Sequence, residues 1–341
     1  MALTTPEQYE LIEPLLRDVS RSFYLSLRVL PPTIRSQISI AYLLARASDT
    51  IADTKAVPRE QRVGILRQIQ RAVRKTAAIP VLDEIAECQT LPAEKVLLEQ
   101  IGYCILTLDA CPPEDNKLIA DLLQTIISGQ IFDLERFPGE NDRELAALGS
   151  DDELDRYTYM VAGCVGEFWT KMCVAHLPDL HSWDPRWMCT LGVRFGKGLQ
   201  LINVLRDMPK DLRIGRCYLP VPNPKALLDP ANFETVKPTY LRWLDTAVAH
   251  LDAGWEYTMA IPRRQARLRL ACIWPIWIGL KTIARLRHDN PLDPTRRIQV
   301  SRGEVYWLMA QSVATCRCDK TLQRRYQSLR RFAAPTGGGK S

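Results

Sequence analysis

Histidine is scarce and cysteine is unpaired in this chain of 341 residues. The four histidines, His176, His181, His250 and His288, form no HExxH or comparable ligand set. Ten cysteines occur without a CxxC; the closest two, Cys316 and Cys318, make only a C-x-C. A structural zinc site and a disulfide framework are therefore set aside, and the cysteines read as reduced thiols. No GxGxxG dinucleotide signature is present, and the terminal GGGKS lacks both the GxxxxGK[ST] spacing and the upstream strand of a phosphate-binding loop. Uncharged runs all fall short of the roughly 18 residues of a membrane span. The opening MALTTPEQYELIEPLL has neither the basic start nor the apolar segment of a secretory signal. The expectation is a cytoplasmic protein, with peripheral contact at the inner face of the cell membrane left open.

What the chain does have is core material. Hydrophobic residues make up 46% and charged residues 25%, enough to exclude disorder. The 45 Lys and Arg against 39 Asp and Glu give a formal +6, which reads as a modest excess along a long chain rather than a basic tail. Nothing in it indicates a nucleic-acid partner, and no obligate protein partner is inferred.

Apolar residues recur at helical spacing throughout, whereas strand-like alternation does not persist. Ile34, Ile38, Tyr42 and Ala41 or Ala45 fall on one face after Pro31 and Pro32, and Val63, Leu66, Ile69 and Val73 on another after Pro58. Further helices are expected over 92–109, 114–135, 151–176, 184–208, 238–260, 263–287 and 301–333, punctuated by proline and glycine. The fold expected is all-α, with one domain over 1–333 and a flexible tail over 334–341. The apolar run LACIWPIWIGL at 270–280 is too short to span a membrane.

Two acidic patterns carry chemistry. In ARASDTIADT, Asp49 and Asp53 lie four apart on one helix face, with Arg46 three residues before Asp49. In GKGLQLINVLRDMPKDLRIGRCYLP, Asn203, Asp207 and Asp211 repeat every four residues among Arg206, Arg213 and Arg216. Neighbouring carboxylates repel unless a cation offsets them. Mg²⁺ bridging two such pairs to a diphosphate would use this mixture of carboxylates and guanidinium groups. Pro209 lies between Asp207 and Asp211 and lacks a backbone donor, so the second pair is expected at a kink or helix end. VAGCVGEFW adds Ala162, Gly163 and Gly166, small enough for close helix packing, followed by Phe168 and Trp169.

These elements, in this order, resemble the squalene/phytoene synthase family, and most closely its bacterial squalene synthases. The likeness runs through most of 15–290: SRSF at 20–23, RASDTIAD at 46–53, YTYMVAGCVGEFW at 157–169 and NVLRDMPKDLRIGRCYLP at 203–220. It implies an isoprenoid synthase fold with a central helical cavity, and Asp49, Asp53, Asp207 and Asp211 organising Mg²⁺. It further implies Ser20, Arg21, Ser22, Arg46, Arg206 and Arg216 at the diphosphates, Asn203 and Arg216 near the reductive half-site, and Asp133 in GQIFDLERF supporting the substrate. Tyr157 and Tyr159 are the nearest phenols for stabilising a cation or moving a proton. The implied reaction joins two farnesyl diphosphates head-to-head through presqualene diphosphate and reduces the intermediate with NADPH to squalene. A related synthase stopping at presqualene diphosphate, dehydrosqualene or phytoene without NADPH is the alternative. Met160 stands where animal and fungal squalene synthases carry tyrosine, and Ala52 and Lys210 where further acidic residues are common.

Overall fold

A computed structural model describes residues 5–20, 23–293, 295–296 and 298–334, the side chains of 5–12 and 23 excepted. Among the described residues there are fifteen α-helices and one pair of two-residue strands, so the all-α expectation holds. Contacts divide the chain into two compact units: Met1–Arg136 with Glu167–Pro185, and Phe137–Gly166 with Arg186–Ser341. Of the expected tail, Ala334 is described and 335–341 lie outside the described residues.

In the first unit, proline marks where helices begin. Its helices are α1 (Thr5–Ser20), α2 (Phe23–Arg28), α3 (Pro32–Asp53), α4 (Arg59–Val73), α5 (Asp83–Glu87), α6 (Pro92–Glu99), α7 (Ile101–Asp109) and α8 (Pro113–Arg136). Pro32, Pro92 and Pro113 each open a helix and Pro58 immediately precedes one. The first-turn N–H has no intrahelical partner, and the ring already holds φ near the helical value. The single helix expected over 92–109 is two, because Gln100 departs to φ −96°, ψ 7°. α3 is the centre of this unit and packs chiefly against α8, then α1, α7 and α4. Ile34, Ile38 and Ala41 are buried as the periodicity requires, whereas Tyr42 and Ala45 are only half-buried.

The second unit contains α9 (Asp151–Thr158), the first turn of α10 (Cys164–His176), α11 (Pro185–Arg213, but for its first residue), α12 (Phe233–Ala260), α13 (Ala266–His288), α14 (Arg302–Thr315) and α15 (Asp319–Ala333). A single π turn, Tyr159–Gly163, joins α9 to α10. The strands β1 (Ala146–Ala147) and β2 (Arg216–Cys217) pair in parallel, Ala146 opposite Arg216. α13 is the core helix: α12, α14 and α15 pack on it, and Trp277 is 1% exposed. The run at 270–280 is therefore interior, buried except for the half-buried Pro275 and Ile278. The small residues of VAGCVG act as expected. Gly166 meets the Gly192 backbone, and Gly196 the Ala162 carbonyl, so closely that a Cβ on either glycine would overlap backbone atoms.

Candidate active site

The acidic stretch of α3 occupies that helix's least buried stripe. Ala47, Ser48, Thr50, Ile51 and Ala52 are buried, while Tyr42, Arg46 and Asp49 are half-buried and Asp53 is exposed. The core face thus turns the other face outward, and helical spacing aligns Arg46, Asp49 and Asp53 along it. Arg46 Nη1 donates to Asp49 Oδ2 at 2.8 Å, and Nη2 donates to Glu94 of α6. Burial works against the Arg46 charge, but Asp49 and Glu94 outweigh it and hold the guanidinium above its ordinary pKa. Ala52 is inside the core.

The other first-unit candidates are placed less uniformly. Ser20 closes α1 with its hydroxyl donating to the Leu16 carbonyl. Arg21 and Ser22 lie outside the described residues. Asp133 is 7% exposed on α8, which excludes a surface role, and Gln130 one turn before it is equally interior.

In the second unit, α11 carries Asn203, Arg206, Asp207 and Asp211, all half-buried. Arg206 grips its neighbour with both arms of its fork: Nε donates to Asp207 Oδ1 at 2.8 Å and Nη2 to Oδ2 at 2.6 Å. The Asp207 bond, against the opposing effect of burial, raises the Arg206 pKa, with Asp211 adding to it. Asn203 Nδ2 donates to Gln200 Oε1 at 3.3 Å.

Pro209 does not end the helix. α11 continues through it to Arg213, placing Asp211 in the last turn. A proline at 209 cannot donate to the Leu205 carbonyl one turn back. The Tyr240 hydroxyl of α12 donates to that carbonyl instead, at 3.4 Å, from a fully buried position. After Arg213 the chain reverses at Gly215, whose φ of +88° is open to glycine and strained for side-chain-bearing residues. A Cβ there would also meet the Gly139 carbonyl at 2.8 Å. This turn delivers Arg216 into β2.

Two phenols flank this region. Tyr157 is buried and stacks on Tyr218, ring centroids 4.7 Å apart and planes at 24°, while Phe137 meets Tyr218 edge-on at 5.2 Å. Tyr159 is half-buried and opens the π turn. Such turns are rare insertions that recur at functional sites; one extra residue rotates all that follows by about 100°. Lys197 of α11 lays its stem by Gly163 and pairs with Asp155 of α9. Arg194 and Lys197 also stand beside His250, whose imidazole burial and these two cations push down to about 4.

The structure therefore joins Arg46 to Asp49 and Arg206 to Asp207, and assigns the two acidic helices to different units. Sequence reasoning missed Glu94, Tyr218, Tyr240, Lys197 and Asp155. Tyr218 and Lys197 had a signal, both lying in the same GKGLQLINVLRDMPKDLRIGRCYLP stretch as Arg216. Among the described residues, no group of three or more His, Cys, Asp or Glu is gathered to hold a metal. Two carboxylates on a helix suit Mg²⁺ nevertheless, because it prefers hard oxygen ligands and commonly completes its shell with water and substrate phosphate.

The all-α architecture matches the isoprenoid synthase fold of the squalene/phytoene synthases. The family model for squalene/phytoene synthase matches residues 16–304, and the chain belongs to that family, which comprises head-to-head prenyl synthases. The bifunctional lycopene cyclase/phytoene synthase of Blakeslea trispora is 30% identical over 212 residues, covering 60% of this chain and 31% of that protein. The squalene synthase of Yarrowia lipolytica is 24% identical over 208 residues, 60% of this chain and 44% of that protein. The matched stretch thus spans less than half the length of these curated relatives. Among solved structures, TcSQS in complex with the ligand E5700 superposes with a TM-score of 0.72 at 19% identity, covering 96% of this chain and 97% of that one. The squalene synthase HpnC of Alicyclobacillus acidocaldarius gives 0.54 at 19% identity over 84% and 96%. These likenesses establish the shared fold.

Proposed function

We propose that this chain is a head-to-head prenyl synthase that condenses two farnesyl diphosphates through presqualene diphosphate and, with NADPH, reduces the intermediate to squalene. The observation that carries the reading is the repeated device on α3 and α11: two aspartates one turn apart, the first of each pair hydrogen-bonded to an arginine. A prenyl diphosphate presents the matching chemistry, a highly charged head that must leave and a long apolar tail.

Asp49, Asp53, Asp207 and Asp211 are the residues that would hold Mg²⁺, which supplies Lewis-acid neutralisation of departing diphosphate. Arg46 and Arg206, kept charged by their carboxylate partners, bind diphosphate oxygens and favour loss of the first leaving group. C–O cleavage leaves an allylic cation; the double bond of the second substrate attacks it, and proton loss closes the cyclopropane ring. Aromatic faces stabilise developing positive charge, the role assigned to Tyr157 and Tyr159, with either phenol oxygen the candidate proton acceptor. Loss of the second diphosphate then yields a cation that rearranges; bound NADPH would supply the hydride chemistry for its reduction. Asn203 and Arg216 are the residues proposed to orient that half-reaction, and Asp133 supports the substrate.

Relatives include phytoene synthases and dehydrosqualene synthase as well as squalene synthases, which supports a second reading without reduction. Product analysis with farnesyl or geranylgeranyl diphosphate, each with and without NADPH, tests both. Squalene formed only when farnesyl diphosphate and NADPH are present is expected; the same final product without NADPH overturns the reductive assignment.

A further inference from the structure

The formal charge is not spread along the chain as the composition suggested. Residues 301–341 contain eight Lys and Arg against two acidic residues, which accounts for the whole +6 and leaves 1–300 neutral. This excess coincides with an outward apolar face. On α14, Tyr306, Trp307 and Val313 are 62%, 61% and 56% exposed, and Ala310 and Ala314 are exposed between and beside them. Their spacing makes one continuous helical stripe. Exposed Arg302 and Arg317 stand at its two ends.

The orientation of that stripe is set by polar bonds on the opposite face. Trp274 Nε1 of α13 donates to Ser312 Oγ at 2.8 Å, and Leu308 is buried beside it. Glu304 accepts from Lys281 at 2.7 Å and from Arg285 at 2.6 Å, both on α13, while it completes a capping box with Ser301. α14 cannot roll to hide its aromatics without breaking these bonds. α15 likewise buries Leu322, Tyr326, Leu329 and Ala333 and turns Lys320, Arg324 and Arg331 outward.

We propose that α14 lays its Tyr306, Trp307, Ala310, Val313 and Ala314 face into the surface of an anionic lipid bilayer, with Arg302 and Arg317 at headgroup depth and α15 adding basic attraction. Aromatic and aliphatic residues flanked by arginine suit the interface, where rings sit among headgroups and guanidinium groups reach phosphate. A protein interface would also use exposed Tyr and Trp, but the eight Lys and Arg against two acidic residues over 301–341 favour an anionic surface, and nucleic acid would use the arginines without the apolar face. No helix among the described residues is long and apolar enough to cross a membrane, so the contact proposed is peripheral. The inference stands on this surface alone, independently of the catalytic reading.

Flotation of the full chain with vesicles of phosphatidylcholine, alone or mixed with phosphatidylglycerol, tests it. Binding to the anionic vesicles that weakens in high salt is expected. Trp307→Ser with Val313→Ser should weaken it at least about tenfold. Arg317→Ala should weaken it about fivefold, the equivalent of about 1 kcal/mol for one cation at an anionic surface. These side chains are exposed, so unchanged thermal melting verifies folding. Diphosphate release in lipid-free buffer, measured on the same variants, should stay unchanged and separates this surface from the active site. Absence of vesicle binding, or binding that survives the double substitution, overturns the proposal. So does a dimer or an RNA complex that the double substitution abolishes while vesicles go unbound.

Discussion

The acidic faces of α3 and α11 have the same sequence logic and different wiring. On α3, Arg46 divides its guanidinium between one oxygen of Asp49 and Glu94 of a neighbouring helix. On α11, Arg206 spends two nitrogens on both oxygens of adjacent Asp207. The first arrangement anchors an arginine by a tertiary contact and leaves Asp49 a single-point partner of it. The second is local and bidentate, so a metal at Asp207 would share both carboxylate oxygens with Arg206 through their remaining lone pairs. Identical residue types at similar spacing thus set different costs for ligand binding.

The largest expected effect tests whether both faces serve one reaction. Asp49→Asn and Asp207→Asn should each lower diphosphate release by about 100-fold or more, the scale of losing a principal electrostatic group in a transition state. Magnesium titrations of Asp207→Asn and Asp211→Asn should show weakened metal dependence; unchanged dependence in both would remove α11 from the comparison.

The next effect concerns what allows α11 to carry its second aspartate past a proline. Tyr240→Phe leaves the buried Leu205 carbonyl without its donor and should cost about 1–3 kcal/mol in urea unfolding. Pro209→Ala restores a backbone donor, so Tyr240→Phe should cost markedly less in the Pro209→Ala background. Additive losses would show that the hydroxyl does not substitute for the missing N–H.

A third test separates the flanks of the two helices. His250, facing Lys197, Arg194 and Asp155, has its pKa lowered to about 4 from 6.5. A depressed histidine pKa means that the folded state resists protonation. Its stability contribution is full above pH 6.5 and is lost as pH falls toward 4. His250→Gln should flatten that part of the stability–pH curve; an unaltered slope would assign the acid sensitivity elsewhere.

The smallest effect probes the tertiary anchor on α3. Glu94→Gln should change stability by under about 1 kcal/mol, because the Arg46 pair is partly solvated. Its readout is a raised KM for the diphosphate substrate with little change in kcat, consistent with a positioning contact. A kcat loss comparable to that of Asp49→Asn would make Glu94 part of the reaction itself.

Much of this was legible in sequence for specific reasons. Proline at the first position of α3, α6 and α8 and just before α4 marked where those helices begin, and burial on α3 followed from Ile34, Ile38 and Ala41. The arginine-aspartate neighbours were legible because i to i+1 and i to i+3 contacts are local. Proline at 209 was informative only in part: Asp211 does lie in the last turn of α11, but the helix runs through the proline, and the donor that replaces its N–H comes from Tyr240, 31 positions away in the chain. The break at Gln100 was hidden because the apolar pattern runs through it, and the π turn because a one-residue insertion leaves the composition unchanged. The charge reading failed for another reason: a whole-chain total has no position in it.

By itself the sequence determined the all-α class, the family and the identity of both acidic faces, because helical spacing and ordered motifs are properties of the chain's own succession. Only the tertiary structure decided that Arg46 answers to Glu94, that α11 survives Pro209, that LACIWPIWIGL is core and that the aromatics of α14 face outward. Each of those depends on which distant side chain arrives to satisfy a polar group or cover an apolar one, and packing alone specifies that.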